Sequence, residues 1–193
     1  MKFFCSLSLS LLFIQGCALK EEIPPLSKQS AHPIQTHPST PAPVVVKPTT
    51  PIFANAKEMQ FPTIDGKIIS IKGDDNLLKV TNQDYQGKEV VLYLFGRDCP
   101  HCVNEISKVR ALSKNPKLKI IGIHAHKMIG DSALKAYTKK IGYNFDILSF
   151  KNDIIMIRYL RDHDIWQGGT PSHLLIDHTG NVQEISISQL LDK

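Results

Sequence analysis

The sequence predicts an α/β domain with a central mixed β-sheet flanked by helices, and three observations carry that prediction. From residue 89 onward, apolar runs of strand length alternate with segments of helical periodicity. Val90-Val91-Leu92-Tyr93-Leu94-Phe95 is apolar without interruption, as expected of a strand covered on both faces in a parallel sheet. Cys99-Pro100-His101-Cys102 follows that strand directly, where a buried strand hands over to a helix.

The elements read in order as follows. Phe61-Pro62-Thr63-Ile64-Asp65-Gly66-Lys67 sets an Asp-Gly turn before Ile68-Ile69-Ser70-Ile71, which predicts a short hairpin. Leu77-Leu78-Lys79-Val80 adds a strand or leads into a turn. A helix from Pro100 to about Ser113 carries Val103, Ile106, Val109 and Leu112 as one apolar stripe. Leu118–Ile123 is the next buried strand, and Asp131-Ser132 caps a helix bearing Leu134, Tyr137 and Ile141 that stops at Gly142. Phe145–Phe150 reads as a short strand and Asp153–Arg161 as a helix. Ser172–Ile176 and Val182–Ile185 are strands joined through the turn-rich Asp177-His178-Thr179-Gly180-Asn181. The order is β-α-β-α-β-α-β-β, with the two cysteines at the carboxyl end of the first strand, where sites collect in open α/β sheets.

Ahead of this domain, residues 56–193, the chain reads as an export address and a tether. Met1-Lys2 and the apolar stretch Phe3–Ile14 form a secretory signal too short to span a bilayer. Ile14-Gln15-Gly16-Cys17 resembles a bacterial lipobox, in which Cys17 is lipidated and becomes the mature N-terminus after residues 1–16 are removed; Gln15 departs from the usual pattern, and ordinary cleavage or an uncleaved anchor are the alternatives. Residues 17–55 then hold the lipidated cysteine and a segment with eight prolines and no glycine, a composition that favours a disordered, stiffened tether. Such a tether reaches about 35 Å as a coil and at most about 115 Å extended. His32 and His37 lie in it and read as solvated.

Of the four cysteines, Cys5 leaves with the signal and Cys17 carries lipid, so Cys99 and Cys102 have only each other in an oxidising compartment. Cleavage removes only Lys2 among charged residues and takes the formal charge from +5 to +4. With no basic cluster and no interleaved aromatic stripe, nucleic acid is not an expected partner.

The chemistry of the pair follows from its place. A helix N-terminus carries unpaired N–H groups and partial positive charge, so Cys99 at the N-cap is favoured as thiolate and is the attacking sulfur, with Cys102 the resolving thiol. Pro100 suits the first helical position, and a protonated His101 further stabilises the thiolate. Structural zinc lacks a second ligand pair, and covalent haem attachment would require histidine where Val103 stands. An inert structural disulfide remains the plain alternative. No metal or organic cofactor is required.

Together with Gly168-Gly169-Thr170-Pro171 leading into Ser172-His173-Leu174-Leu175-Ile176-Asp177, these motifs give residues 58–193 a resemblance to the TlpA/ResA-like thiol:disulfide oxidoreductases of the bacterial envelope, which have a thioredoxin-like fold. The resemblance implies that Pro171 is cis and faces the disulfide, and that Thr170 presents its backbone to an extended client. It implies reduction of client protein disulfides, for example cytochrome c haem-site cysteines, with a membrane redox partner and a lipid anchor to the inner or outer membrane. The Pro-His dipeptide between the cysteines points the other way, to a DsbA-like oxidase or isomerase. The chain also departs from the group: the tryptophan expected before the first cysteine is Asp98, and the buried acid that thioredoxin keeps six residues before that cysteine is Tyr93. Asp98 opposes a Cys99 thiolate and Arg97 favours it.

Three further features carry readings. His124 and His126 invite a copper-delivery or binding role, but alternate residues of a strand point to opposite faces. Trp166 either covers the dithiol or packs in the core, and the face taken by His173 depends on the strand register.

Overall fold

The computed structural model describes Phe53 and residues 56–193. Cys17, the lipobox-like segment that ends on it and the proline-rich segment with His32 and His37, on which the signal, anchor and tether expectations fall, lie outside the described residues. Among the described residues no helix is long and apolar enough to cross a membrane.

The domain opens with strands β1 (Lys57–Pro62), β2 (Ile68–Asp74) and β3 (Leu77–Val80), an antiparallel sheet in that order. Gly66 takes the positive φ of 85° that the Asp-Gly turn requires, and Thr63 N–H closes the turn on the Lys67 carbonyl at 2.8 Å. Alternation on β2 buries Ile69 and Ile71 while Ile68 stays exposed.

A 3-10 turn at Gln83–Tyr85 leads into β4 (Glu89–Phe95), α1 (Pro100–Leu112), β5 (Leu118–His124), α2 (Asp131–Ile141), β6 (Asp146–Ile147), α3 (Phe150–Asp162), β7 (Ser172–Ile176), β8 (Val182–Glu184) and α4 (Ile187–Leu191). The second sheet runs β6-β5-β4-β7-β8; β4, β5 and β6 are parallel, and β7 runs antiparallel to both of its neighbours, so the sheet is mixed. Central β4 is buried on both faces because each face has its own cover. Leu92 and Leu94 join Ile69, Ile71, Met156 and Leu160 under the hairpin and α3. Val91, Tyr93 and Phe95 join Val109, Leu112, Leu134 and Leu190 under α1, α2 and α4. The hairpin is latched to α3 where the Tyr159 ring packs on Gly73, whose missing Cβ leaves the room, and donates its hydroxyl to the Asp75 carbonyl at 3.0 Å.

Several expectations need correction. The stripe of α1 is not Val103, Ile106, Val109 and Leu112: Val103 is exposed, and Cys102, Val109 and Leu112 are buried. At 3.6 residues per turn, positions three apart drift by about 60° each step, so after three steps Leu112 stands opposite Val103. Gly130, not Asp131 or Ser132, is the N-cap of α2, because the Asp131 carboxylate instead accepts the Phe150 N–H at 2.8 Å and caps α3. That cap starts α3 at Phe150 rather than Asp153 and shortens the preceding strand to two residues. The last strand ends at Glu184, and α4, fixed by a Ser186–Gln189 capping box, follows it unforeseen. Trp166 is buried in the cluster under α3 and the hairpin, with the Arg161 guanidinium 5.1 Å from its ring centre.

Candidate active site

Cys99 is the N-cap residue of α1, with extended backbone (φ −94°, ψ 111°) and Pro100 at the first helical position. Its sulfur accepts the Cys102 N–H at 3.2 Å, one of the amides a helix start leaves unpaired. The two cysteines form a disulfide with a Cα–Cα separation of 5.3 Å. The Cys102 sulfur accepts the Gly96 N–H at 3.4 Å. Cys99 Sγ lies 3.4 Å from the Thr170 carbonyl oxygen, and the Thr170–Pro171 peptide is cis. The chain thus brings Cys99, Cys102, Thr170 and Pro171 together from opposite ends of the domain, because β4 and β7 are hydrogen-bonded neighbours. His101 stays exposed in the first turn of α1.

Arg97 and Asp98, expected to act on Cys99 in opposite senses, act first on each other. The guanidinium grips the carboxylate with bonds of 2.9 and 3.0 Å and holds its pKa below the usual carboxylate range.

Where thioredoxin keeps a buried acid, the Tyr93 ring is stacked between Phe95 and His173 at 5.3 and 5.1 Å, and its hydroxyl accepts from Tyr143 at 3.3 Å. The pairing of Tyr93 with His173 settles the register: His173 is buried on the α1 face. Its Nε2 stands 3.3 Å from Oε2 of Glu105, which follows Cys102 by one helical turn. Burial pushes the Glu105 carboxyl up and pulls His173 down to about 4, so both groups are moved toward their neutral forms. Glu105, His173 and Pro171 line one groove of about 540 Å³ on the β7 side of α1. Sequence reasoning did not single out Glu105; its signal is the spacing of three from Cys102 on a helix.

The two candidate metal histidines part company. His124 is buried, edge-on to Phe95 at 5.7 Å, and Nε2 accepts the Arg97 N–H at 3.3 Å; His126 is exposed. Among the described residues no three His, Cys, Asp or Glu side chains are grouped to hold a metal ion.

Chemically, a dithiol at a helix N-terminus beside an accessible backbone carbonyl is built for thiol–disulfide exchange. The fold agrees with that of known proteins. The chain is similar to a thiol:disulfide interchange protein of the thioredoxin family from Chlorobium tepidum, at 22% identity over 71% of this chain and 92% of that one, with a TM-score of 0.53. It is also similar to the thioredoxin domain of a thiol-disulfide oxidoreductase from Bacteroides vulgatus, at 16% identity over 70% of this chain and 89% of that one, with a TM-score of 0.51. The fold is thioredoxin-like. No functionally curated protein matches the chain. The family model that does match covers residues 53–185, from the turn before β1 to the end of β8, and by that match the chain belongs to the AhpC/TSA family.

Proposed function

We propose that the protein is a thiol:disulfide oxidoreductase of the bacterial envelope, lipid-anchored through Cys17, that works as a TlpA/ResA-like reductase of client protein disulfides. One observation carries the reading: Cys99, the helix N-cap, faces the Thr170 carbonyl across the domain while Cys102 stays behind it in the helix. An extended client pairs with the Thr170 backbone and is thereby held with its disulfide against Cys99.

The reaction runs in two exchanges. The Cys99 thiolate attacks one client sulfur; a Cys99–client disulfide forms, the client disulfide breaks, and the other client sulfur leaves as thiolate. The Cys102 thiolate then attacks Cys99; the Cys99–Cys102 disulfide forms and the client's second thiolate departs. The client gains two electrons and the protein loses two, so a membrane dithiol donor must reduce it again. Cytochrome c haem-site cysteines are the expected clients.

Pro100-His101 favours a second reading, an oxidase or isomerase, because a histidine near the thiolate stabilises the dithiol and raises the potential. The in-cell state of the pair, trapped by acid and alkylation, separates the two. Mostly dithiol supports the reductase; mostly disulfide, with a potential near the oxidising extreme against glutathione, supports the oxidase.

A further inference from the structure

The His-Ala-His pattern at 124–126 is the sequence feature that the exchange reaction leaves unused. Pairing between β4 and β5 continues past His124, since Ala125 N–H donates to the Phe95 carbonyl at 2.8 Å. This continuation sets both histidines against Gly96–Asp98, the segment that delivers Cys99. His126 lies beside it: a Cβ on Gly96 would come within 3.0 Å of His126 Cβ and 3.2 Å of Cys99 Cβ. His124 lies buried against it, with its ring fixed edge-on to Phe95 and its Nε2 on the Arg97 N–H at 3.3 Å.

Two successive amides of this segment therefore have two acceptors. Gly96 N–H is bonded to the Cys102 sulfur and Arg97 N–H to the His124 ring. Only the φ and ψ of Gly96 separate the two peptide planes, and glycine restrains those angles least of all residues. An anchor on the second plane thus decides how well the first is aimed. The side chains of the segment supply no such anchor, because Arg97 and Asp98 are exposed and paired with each other.

We propose that His124 is a positioning residue for Cys102: by holding the Arg97 N–H it keeps the Gly96 N–H on the Cys102 sulfur, and that bond stabilises the Cys102 thiolate in the resolving step. The inference rests on the oxidoreductase reading. A thiol as buried as Cys102, 2% exposed, needs such help, because burial disfavours the thiolate and a donated hydrogen bond favours it. In that step the Cys102 thiolate attacks Cys99 Sγ, the Cys99–client bond breaks, and the client sulfur leaves with the electron pair. The charged and titratable groups that act on His124 are Arg97 and Asp98 from the approach segment and His126 from its own strand's extension, with the Asp153 carboxyl of α3 at its backbone N–H. Burial foremost, with His126 and Arg97 in the same sense, pulls His124 down to about 4, so the ring is neutral at neutral pH, and the Arg97 N–H on Nε2 selects the tautomer that carries its proton on Nδ1.

The test uses the full chain with Cys99 in a mixed disulfide with glutathione, and reads the rate at which Cys102 releases glutathione. His124→Phe keeps the ring and its packing but removes the acceptor, and should slow release about tenfold, the scale of one hydrogen bond to a charged group. His124→Gln places an oxygen where Nε2 stands and should stay within about threefold of the native rate. Alkylation of Cys99 should be unchanged in both. Native-like release from His124→Phe, equal loss in His124→Gln, or a parallel loss of Cys99 alkylation overturns the proposal. If His124→Phe does not fold, His124→Asn, whose oxygen reaches only the Nδ1 position, replaces it with the same expectation. Failure of the native chain itself to release glutathione would instead defeat the oxidoreductase reading.

Discussion

Cys99 Sγ and the Thr170 carbonyl oxygen, 71 residues apart in the chain, stand 3.4 Å from each other. The contact puts one sulfur at the edge where an extended client would pair and leaves the other, Cys102, inside the first turn of α1 under the Gly96 amide. In the reduced protein, iodoacetamide should therefore modify Cys99 before Cys102, and the Cys99 pKa should lie below the free value of about 8.5. Faster modification of Cys102, or an ordinary Cys99 pKa, reverses the assignment of roles.

Glu105 stands one helical turn beyond Cys102 with its carboxyl held up by burial and its Oε2 against His173. Its spacing of three from Cys102 on one helix makes it the candidate to test as the base that takes the Cys102 proton. Glu105→Gln should slow the release of glutathione from the Cys99 mixed disulfide by about tenfold or more at neutral pH and flatten the pH dependence of that step. Cys99 alkylation should hardly change. A native release rate with an unaltered pH profile would assign the proton to water.

Asp153 is fully buried, and burial pushes its pKa up to about 9 against the opposing pull of the His124 backbone N–H. Between the unfolded value near 4 and that folded value, the folded state binds the extra proton, so Asp153 costs stability progressively as pH rises. Asp153→Asn should be about neutral at pH 4 and stabilising by several kcal/mol at pH 8, read by urea unfolding. His124 and His173 act in the opposite sense. Both are pulled down to about 4 by burial, so the unfolded chain binds more protons and stability falls as pH drops from about 6.5 to 4. A difference between native and Asp153→Asn that does not vary with pH would show that the carboxyl is ionised in the folded state.

The parts of this architecture that announce themselves in sequence are those whose signal is continuous. Val90–Phe95 reads as a doubly covered strand because no polar residue interrupts it, and Cys99-Pro100 marks a helix start by capping chemistry alone. What escapes is set by distant partners. Asp131 carries the chemistry of a cap, but which helix it caps depends on where Phe150 comes to rest. His173 faces either way until it is paired with Tyr93, and only that pairing turns Glu105 from a surface residue of α1 into the half-buried neighbour of a buried histidine. Five-residue α4 is too short to show a period, and its capping box is its one local mark.

The lipid anchor is tested on Cys17, the residue at the end of the lipobox-like segment. Cys17→Ser should release the protein from the membrane fraction and remove the lipid from its mass, with the exchange activity of the domain intact. Continued membrane binding at unchanged mass would replace the lipid by an uncleaved anchor.

The account stands or falls on a covalent intermediate at Cys99. Cys102→Ser removes the thiol that would resolve it, so the full chain carrying this substitution, recovered from its host under acid and without reductant, should contain disulfide adducts with client proteins. Mass spectrometry should place every adduct on Cys99, and a further Cys99→Ser substitution should abolish them. An absence of adducts from the Cys102→Ser chain while its exchange activity persists, or adducts that survive loss of Cys99, would contradict the mechanism.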